Sequence, residues 1–317
     1  HEDLRGAPYL IDLDEIGRRS EEAWRRGATE VCMQGGIHPD FSGETYLDIC
    51  KAVKAAVPEM HVHAFSPLEV TQGATTLGLS IEDFLRELKK AGLSSLPGTA
   101  AEILDDEVRA TLCADKINTQ QWLNVVGTAH QLGMPTTATI MFGHMEKPLH
   151  WARHLLRIRN QQLATGGFTE FVPLPFVHME APLFRRGLAR PGPTYREAVL
   201  MHAVARLVLH PVITNVQVSW TKLGPDLATR ILSCGANDLG GTLMNESISK
   251  AAGAGHGQEL PPERMEALIE AAARVPRQRT TRYGAVTMER RAASFAAEPI
   301  QPIVNRPLGK ATSRPRL

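Results

Sequence analysis

Cysteine is scarce in this chain, with four among 317 residues, at Cys32, Cys50, Cys113 and Cys234. No two stand in a C-x-x-C pair, so no zinc or iron–sulfur site is written locally, and free thiols in a reducing compartment, the cytoplasm, are expected. An excess of one charge is lacking too. Thirty-five Lys and Arg stand against 34 Asp and Glu, a net charge of +1, which excludes bulk attraction to nucleic acid or a membrane surface. No apolar run reaches the length that spans a bilayer, and no signal peptide is visible. The chain opens on His1 rather than Met, which predicts a fragment or a processed chain. There is no P-loop, G-x-G-x-x-G, nucleophile elbow or H-E-x-x-H, so the common nucleotide-binding and hydrolytic signatures are excluded.

What is present is ordinary for a globular protein, 43% hydrophobic and 22% charged, enough for one barrel or two smaller domains. Apolar spacing predicts helices over 11–26, 44–57, 81–91, 119–132, 151–163, 195–209, 223–232 and 262–274. Ser80 and Thr119 read as N-caps, and Gly92 and Gly133 as C-terminal stops. Between them lie seven strand-like segments, at 29–33, 61–65, 95–99, 136–142, 168–172, 216–220 and 238–243. Such alternation means parallel strands with helical crossovers, hence an α/β barrel over residues 1–285. A closed barrel of this type needs eight strands, and the first is the one not found. From residue 286 the chain turns basic and proline-bearing without a period, and a poorly ordered tail is expected over 286–317.

A parallel barrel carries its chemistry at the C-terminal tips of its strands. Gln34-Gly35-Gly36 offers free amides and close backbone approach, or a simple turn. His61 and His63 alternate onto one strand face; with His144, His178 and Asp238 they could hold a metal in a hydrolase barrel, or merely bond polar neighbours. Thr99 and Glu102 suit a ribose or an amino group, or else cap a helix. Asp105, Asp106 and Glu107 read as a solvated helix start. Glu170 stands in an apolar strand and is expected to be paired or hydrogen-bonded. The stretch 235–248 packs Asn237, Asp238 and three glycines around the last strand, denser than a turn requires.

Nine strings in order resemble the radical S-adenosylmethionine (SAM) enzymes that build the deazaflavin chromophore of coenzyme F-420, the 4-hydroxyphenyl transferase family of FO synthesis. They are ATEVCMQGGIHPD, HVHAFSPLEV, LPGTAAEILDDEVR, TTATIMFGH, TGGFTEFVPLPFVH, ARPGPT, VQVSW, GANDLGGTLMNESIS and PRQRTT. Menaquinone-pathway members of the superfamily share parts of this pattern. The resemblance implies a radical SAM-type TIM-like (β/α) barrel. It implies a four-iron [4Fe-4S] cluster that cleaves SAM, and a radical that oxidises L-tyrosine and breaks its Cα–Cβ bond. The 4-hydroxybenzyl fragment then joins 5-amino-6-(D-ribitylamino)uracil. A second FO synthase subunit or fused domain and an external electron donor are the implied partners, with no nucleic acid and no membrane. By position, Gln34, Gly35 and Gly36 match the tip that holds the methionine end of SAM. Thr99, Glu102, Phe142, Gly143 and His144 fall where SAM's polar groups and adenosine bind, and His63, Glu170, His178, Asn237 and Asp238 where tyrosine and uracil are recognised. The family's C-x3-C-x2-C cluster loop is not in this sequence, so the expectation is a partial sequence, inactive as written, that lacks strand one and the cluster ligands.

Overall fold

The computed structural model describes residues 11–304 apart from 36, 39 and 245. Capping chemistry sets many of its boundaries. Ser80 accepts from the Asp83 amide to open the helix Ile81–Ala91, and Gly92, at φ 111°, closes it. Asn118, not the expected Thr119, caps Thr119–Gln131 through the Gln121 amide. In chain order the first elements are α1 (Leu13–Arg25), β1 (Glu30–Met33), α2 (Gly43–Ala56), β2 (His61–Ala64), α3 (Pro67–Leu77), α4 (Ile81–Ala91) and β3 (Leu93–Ser95). Next come α5 (Asp106–Leu112), α6 (Thr119–Gln131), β4 (Thr136–Phe142), α7 (Pro148–Thr165), β5 (Phe168–Pro175), α8 (Pro182–Arg185) and α9 (Tyr195–Leu209). The remaining helices are α10 (Trp220–Leu223), α11 (Pro225–Ile231), α12 (Ile248–Ala251), α13 (Pro262–Ala271) and α14 (Met288–Phe295).

The strands pair in parallel, β1 with β2, β2 with β3, and β4 with β5. Single parallel bridges extend this row, from Leu96 to Thr136, Phe171 to Val216, and Gln217 to Asp238. Seven strand positions therefore stand in sequence order around an arc, with helices on the outside. The last two are bridges rather than full strands. The expected strand Val216–Trp220 gives way to α10 at Trp220, and that at Asp238–Leu243 is broken by Gly240 at φ 80° and Leu243 at φ 62°.

The apolar core lies between strands and helices. Val62 and Ala64 pack with Cys50, Val53, Leu85 and Leu88, while Ala138, Ile140, Phe142 and Phe171 pack with Trp122, Ile158 and Met201. The segment beyond residue 285 differs from expectation. Thr287 caps α14, Arg290 lies 4.1 Å over the Trp24 ring, and the Gln301 and Val304 amides donate to Glu22 and Glu15 on α1. Cation–π contact and carboxylate capping supply an anchorage that apolar periodicity does not reveal. Residues 305–317 of the expected tail lie outside the described residues. Among the described residues no helix is long and apolar enough to cross a membrane.

Candidate active site

Strand alternation decides what faces the barrel axis. Because Val62 and Ala64 point to the helices, His61 and His63 point inward. Because Ala138, Ile140 and Phe142 point outward, Thr137 and Thr139 point inward. By the same argument Glu30 and Cys32 of β1, Glu170 of β5, and Gln217 and Asp238 face the axis. An α/β barrel is ordinarily filled by layers of branched apolar side chains. This interior is polar, and solvent reaches Cys32 within it. Enclosure by the wall raises the Cys32 thiol pKa, with Glu30 adding to the effect, although contact with solvent tempers the rise.

The mouth of the barrel is built from the strand tips. Thr99 donates to the Gln34 side chain at 2.6 Å, which ties the loop after β3 to the tip of β1. The Gly35 amide donates to Glu69 at 3.0 Å, and a side chain added at Gly35 would meet nothing within 4 Å. The β1 tip thus leaves open space against its backbone, while Gly36 lies outside the described residues. Glu69 is itself buried, accepting from the Ser66 amide and hydroxyl at 2.7 Å each. Sequence reading missed it, although Ser66-Pro67-Leu68-Glu69 carries the capping-box spacing. Glu102 does not cap a helix; it pairs with Lys116 at 2.7 Å. Lys222, also missed, donates to Ser249 at 2.6 Å, and burial lowers its ammonium pKa. Its signal is a lone cation just past the sixth strand position.

Other expected residues are engaged structurally. Phe142 is buried edge-on to Trp151. Gly143, at φ 93°, lies so close to Gly192-Pro193 that a Cβ would fall 2.3 Å from the proline ring. His144 is fully enclosed, 3.0 Å from the Met141 carbonyl and 3.0 Å from Glu146. It therefore shapes the β4 tip and presents no imidazole to the mouth. His178, in the loop after β5, packs its ring 4.7 Å from Phe184. Asn237 neighbours inward-facing Asp238 and so faces the other way, accepting from Arg206 of α9 at 2.7 Å.

Deeper in the barrel two polar groups form. His61 and His63 both contact the Ser95 hydroxyl, at 2.7 and 2.6 Å. Burial pulls both imidazoles down, His61 to about 4, so they are neutral at pH 7. Glu170 and Asp238, 68 positions apart in sequence, meet on one phenol. The Tyr283 hydroxyl lies 2.6 Å from Glu170 Oε2 and 2.7 Å from Asp238 Oδ2. Arg279 lies 2.5 Å from Asp238 and 3.3 Å from Glu170. Glu170, the third residue of the eight-residue β5, places this second group toward the N-terminal half of its strand rather than at the tip. The five side chains of the hydrolase reading do not converge. Among the described residues the group able to chelate a metal is Asp105, Glu107 and His150, on the outside of the barrel.

With this geometry in view, comparison with known proteins is informative. A family model described as the radical SAM superfamily matches residues 2–158, and one described as the CofH/MqnC C-terminal region matches 165–292. The FO synthase of Streptomyces avermitilis is 53% identical over 290 residues, 92% of this chain and 34% of that protein. The 5-amino-6-(D-ribitylamino)uracil–L-tyrosine 4-hydroxyphenyl transferase of Methanopyrus kandleri is 53% identical over 275 residues, 87% of this chain and 74% of that protein. The chain thus spans about a third of the FO synthase it matches and about three quarters of the transferase. Among solved structures, methylornithine synthase (PylB) superposes with a TM-score of 0.61 at 15% identity, over 85% of this chain and 75% of that one. That likeness supports the TIM-like α/β barrel.

Proposed function

This chain belongs to the radical SAM superfamily, in the branch with the CofH/MqnC C-terminal region, and from that premise we propose that it binds the cofactor and substrates of a 4-hydroxyphenyl transferase. The reaction joins the 4-hydroxybenzyl group of L-tyrosine to 5-amino-6-(D-ribitylamino)uracil in deazaflavin synthesis. The observation that carries this reading is 53% identity, over 87% of the chain, to a protein named for those two substrates. A polar chamber where a structural barrel would be packed supports it. The same identity favours FO chemistry over the menaquinone-pathway relatives that share the C-terminal region.

Membership implies SAM and a [4Fe-4S] cluster. The cysteines of this chain do not fit a cluster. Cys50 and Cys113 are buried, Cys32 stands in β1 and Cys234 beyond α11, and no three of them converge among the described residues. SAM fits better, because the open backbone at Gly35 is a cradle with Gln34 beside it and Thr99 bonded to Gln34. When bound, SAM supplies the 5′-deoxyadenosyl group that starts radical chemistry. The chain's own residues then have three tasks. Gln34 and Gly35 orient the methionine end, with Glu69 fixing the tip from behind. Thr99 and Glu102 line the mouth beside it, with Phe142, Gly143 and His144 shaping the wall of the adenosine side. His63, with Ser95, and Glu170, with Asp238, present neutral and acidic hydrogen-bonding groups to the two substrates. His178 supports the wall from the β5 loop, and Asn237 by accepting from Arg206 of α9. Holding both substrates side by side in one chamber is what radical transfer between them needs. A fused or separate FO synthase partner and an external electron donor complete the proposed system, in a reducing cytoplasm that suits four free thiols.

The test is the full gene product reconstituted with iron and sulfide and given SAM, reductant, tyrosine and the ribitylaminouracil. Consumption of tyrosine with formation of the joined product is expected; SAM cleavage that leaves tyrosine untouched rejects the substrates.

A further inference from the structure

His61 Nε2, Ser95 Oγ and His63 Nδ1 form a line of three heteroatoms, with spacings of 2.7 and 2.6 Å. Alternation from Leu93 alone would send Ser95 toward the helices, but a bulge between the Val62 and His63 register pairs sets it opposite inward-facing His63. Ser95 is buried, and among the described residues its hydroxyl meets only these two ring nitrogens. Burial holds both imidazoles neutral at pH 7. A hydroxyl has one proton to give, and a neutral imidazole carries one N–H. The hydroxyl therefore donates to one ring and accepts from the other. If Ser95 donates to His61, His63 donates through its Nδ1–H, and both rings are Nδ1–H tautomers. If Ser95 donates to His63, His61 donates through its Nε2–H, and both are Nε2–H tautomers. The two rings can only change tautomer together.

The ends of this line open in different directions. His61 begins β2 and lines a cavity of about 300 Å³ at the base of the barrel, with Thr29, Glu59, Thr280 and Thr281. His63 faces the chamber. Among the described residues, His61 Nδ1 and His63 Nε2 take part in no hydrogen bond, so each end is free to exchange a proton. The charged groups facing the pair are Glu30 of β1, Lys54 of α2, and Arg279 and Arg282 of the turn after α13.

We propose that His63, Ser95 and His61 relay a proton between the substrate chamber and the basal cavity, serving the phenol of the tyrosine substrate. From the Nδ1–H tautomers, the phenol O–H breaks and His63 gains a proton at Nε2. The Nδ1 proton of His63 passes to Ser95, the Ser95 proton passes to His61 Nε2, and the Nδ1 proton of His61 leaves to solvent in the cavity. One proton has moved and no electron has, and both rings end as Nε2–H tautomers. An ionised phenol supports a radical at its para benzylic carbon better than a neutral phenol does, which suits rupture of the Cα–Cβ bond. The reverse passage returns a proton to the phenol of the 4-hydroxybenzyl product and resets both rings. His63 touches the substrate, while Ser95 and His61 act through it. The phenol as client rests on the transferase reading, whereas the linked tautomers rest on the three-atom line alone.

Two readouts separate these. NMR of the histidine ring nitrogens in the purified chain at pH 7 reads the tautomers directly, with His61→Gln and His63→Gln assigning the signals. Both rings are expected to be neutral and of one tautomer; opposite tautomers, or a charged ring, overturn the relay. Steady-state turnover of the reconstituted full gene product tests its use. Ser95→Ala is expected to lower kcat about a hundredfold with KM for tyrosine little changed, and Ser95→Thr, which keeps the hydroxyl, to retain most of the rate. His61→Gly leaves room on the basal cavity, and added imidazole is expected to rescue its kcat but not that of Ser95→Ala, a difference that a merely structural role would not produce. Wild-type kcat in Ser95→Ala, or a folded His61→Gly that imidazole does not rescue, overturns the relay. A wild-type enzyme that consumes no tyrosine sinks the transferase reading instead, and the ring-nitrogen spectra still decide the linked pair.

Discussion

A single carboxyl links stability to pH here. Glu170 is raised from its ordinary 4.5 to about 7, chiefly by burial. A carboxyl with a raised folded-state pKa stabilises the fold below pH 4.5, and that contribution is lost as pH climbs to about 7. Urea denaturation should therefore show stability falling across that window by on the order of 3 kcal/mol at most, and Glu170→Gln should flatten the slope. Glu69 gives a second residue-scale prediction. Replacing it with Ala leaves the Gly35 amide and both Ser66 donors without their acceptor. The expected cost is about 3 kcal/mol in denaturation, with weaker SAM binding because the β1 tip loses its brace.

At the scale of elements, Gly27 is where α14 meets the barrel. At φ 83° it occupies a conformation that side chains avoid, and an added Cβ would lie 2.4 Å from the Ser294 amide. Gly27→Ala should lift α14 off α1, seen as faster proteolysis after residue 286 while β4 and β5 keep their protection from hydrogen exchange. The sequence makes some elements legible and others not, for physical reasons. β4, Thr136–Phe142, and α9, Tyr195–Leu209, fall at their expected bounds because β-branched alternation and a capped 3.6-residue period are strong local signals. α3 is hidden because Pro67 follows the β2 tip directly and reads as loop, although it serves as the first helical residue. α14 is hidden because cation–π contacts hold it rather than an apolar stripe. In the site, the histidine pair on β2 is legible from alternation. The meeting of Glu170 with Arg279 and Tyr283 is not, since 109 and 113 positions separate them and no local rule brings them together.

At the scale of the molecule, the turn after α13 fastens both ends of the strand arc. Thr281 donates to Glu30 of β1, while Arg279 and Tyr283 hold Asp238 of the last strand. Arg279→Ala should speed hydrogen exchange at β1 and around Asp238 together, with β4 and β5 unaffected. Iron and sulfide analysis of this chain should find no stoichiometric cluster, since its four thiols are dispersed. The polar interior has a consequence of another kind. The apolar packing resides in the shell between strands and helices, while the axis is lined by polar side chains. Inward-facing positions that the turn after α13 does not engage, such as Thr137 and Thr139, can therefore be exchanged with the outer packing left intact, whereas Glu30, Glu170 and Asp238 are tied into what holds the arc together.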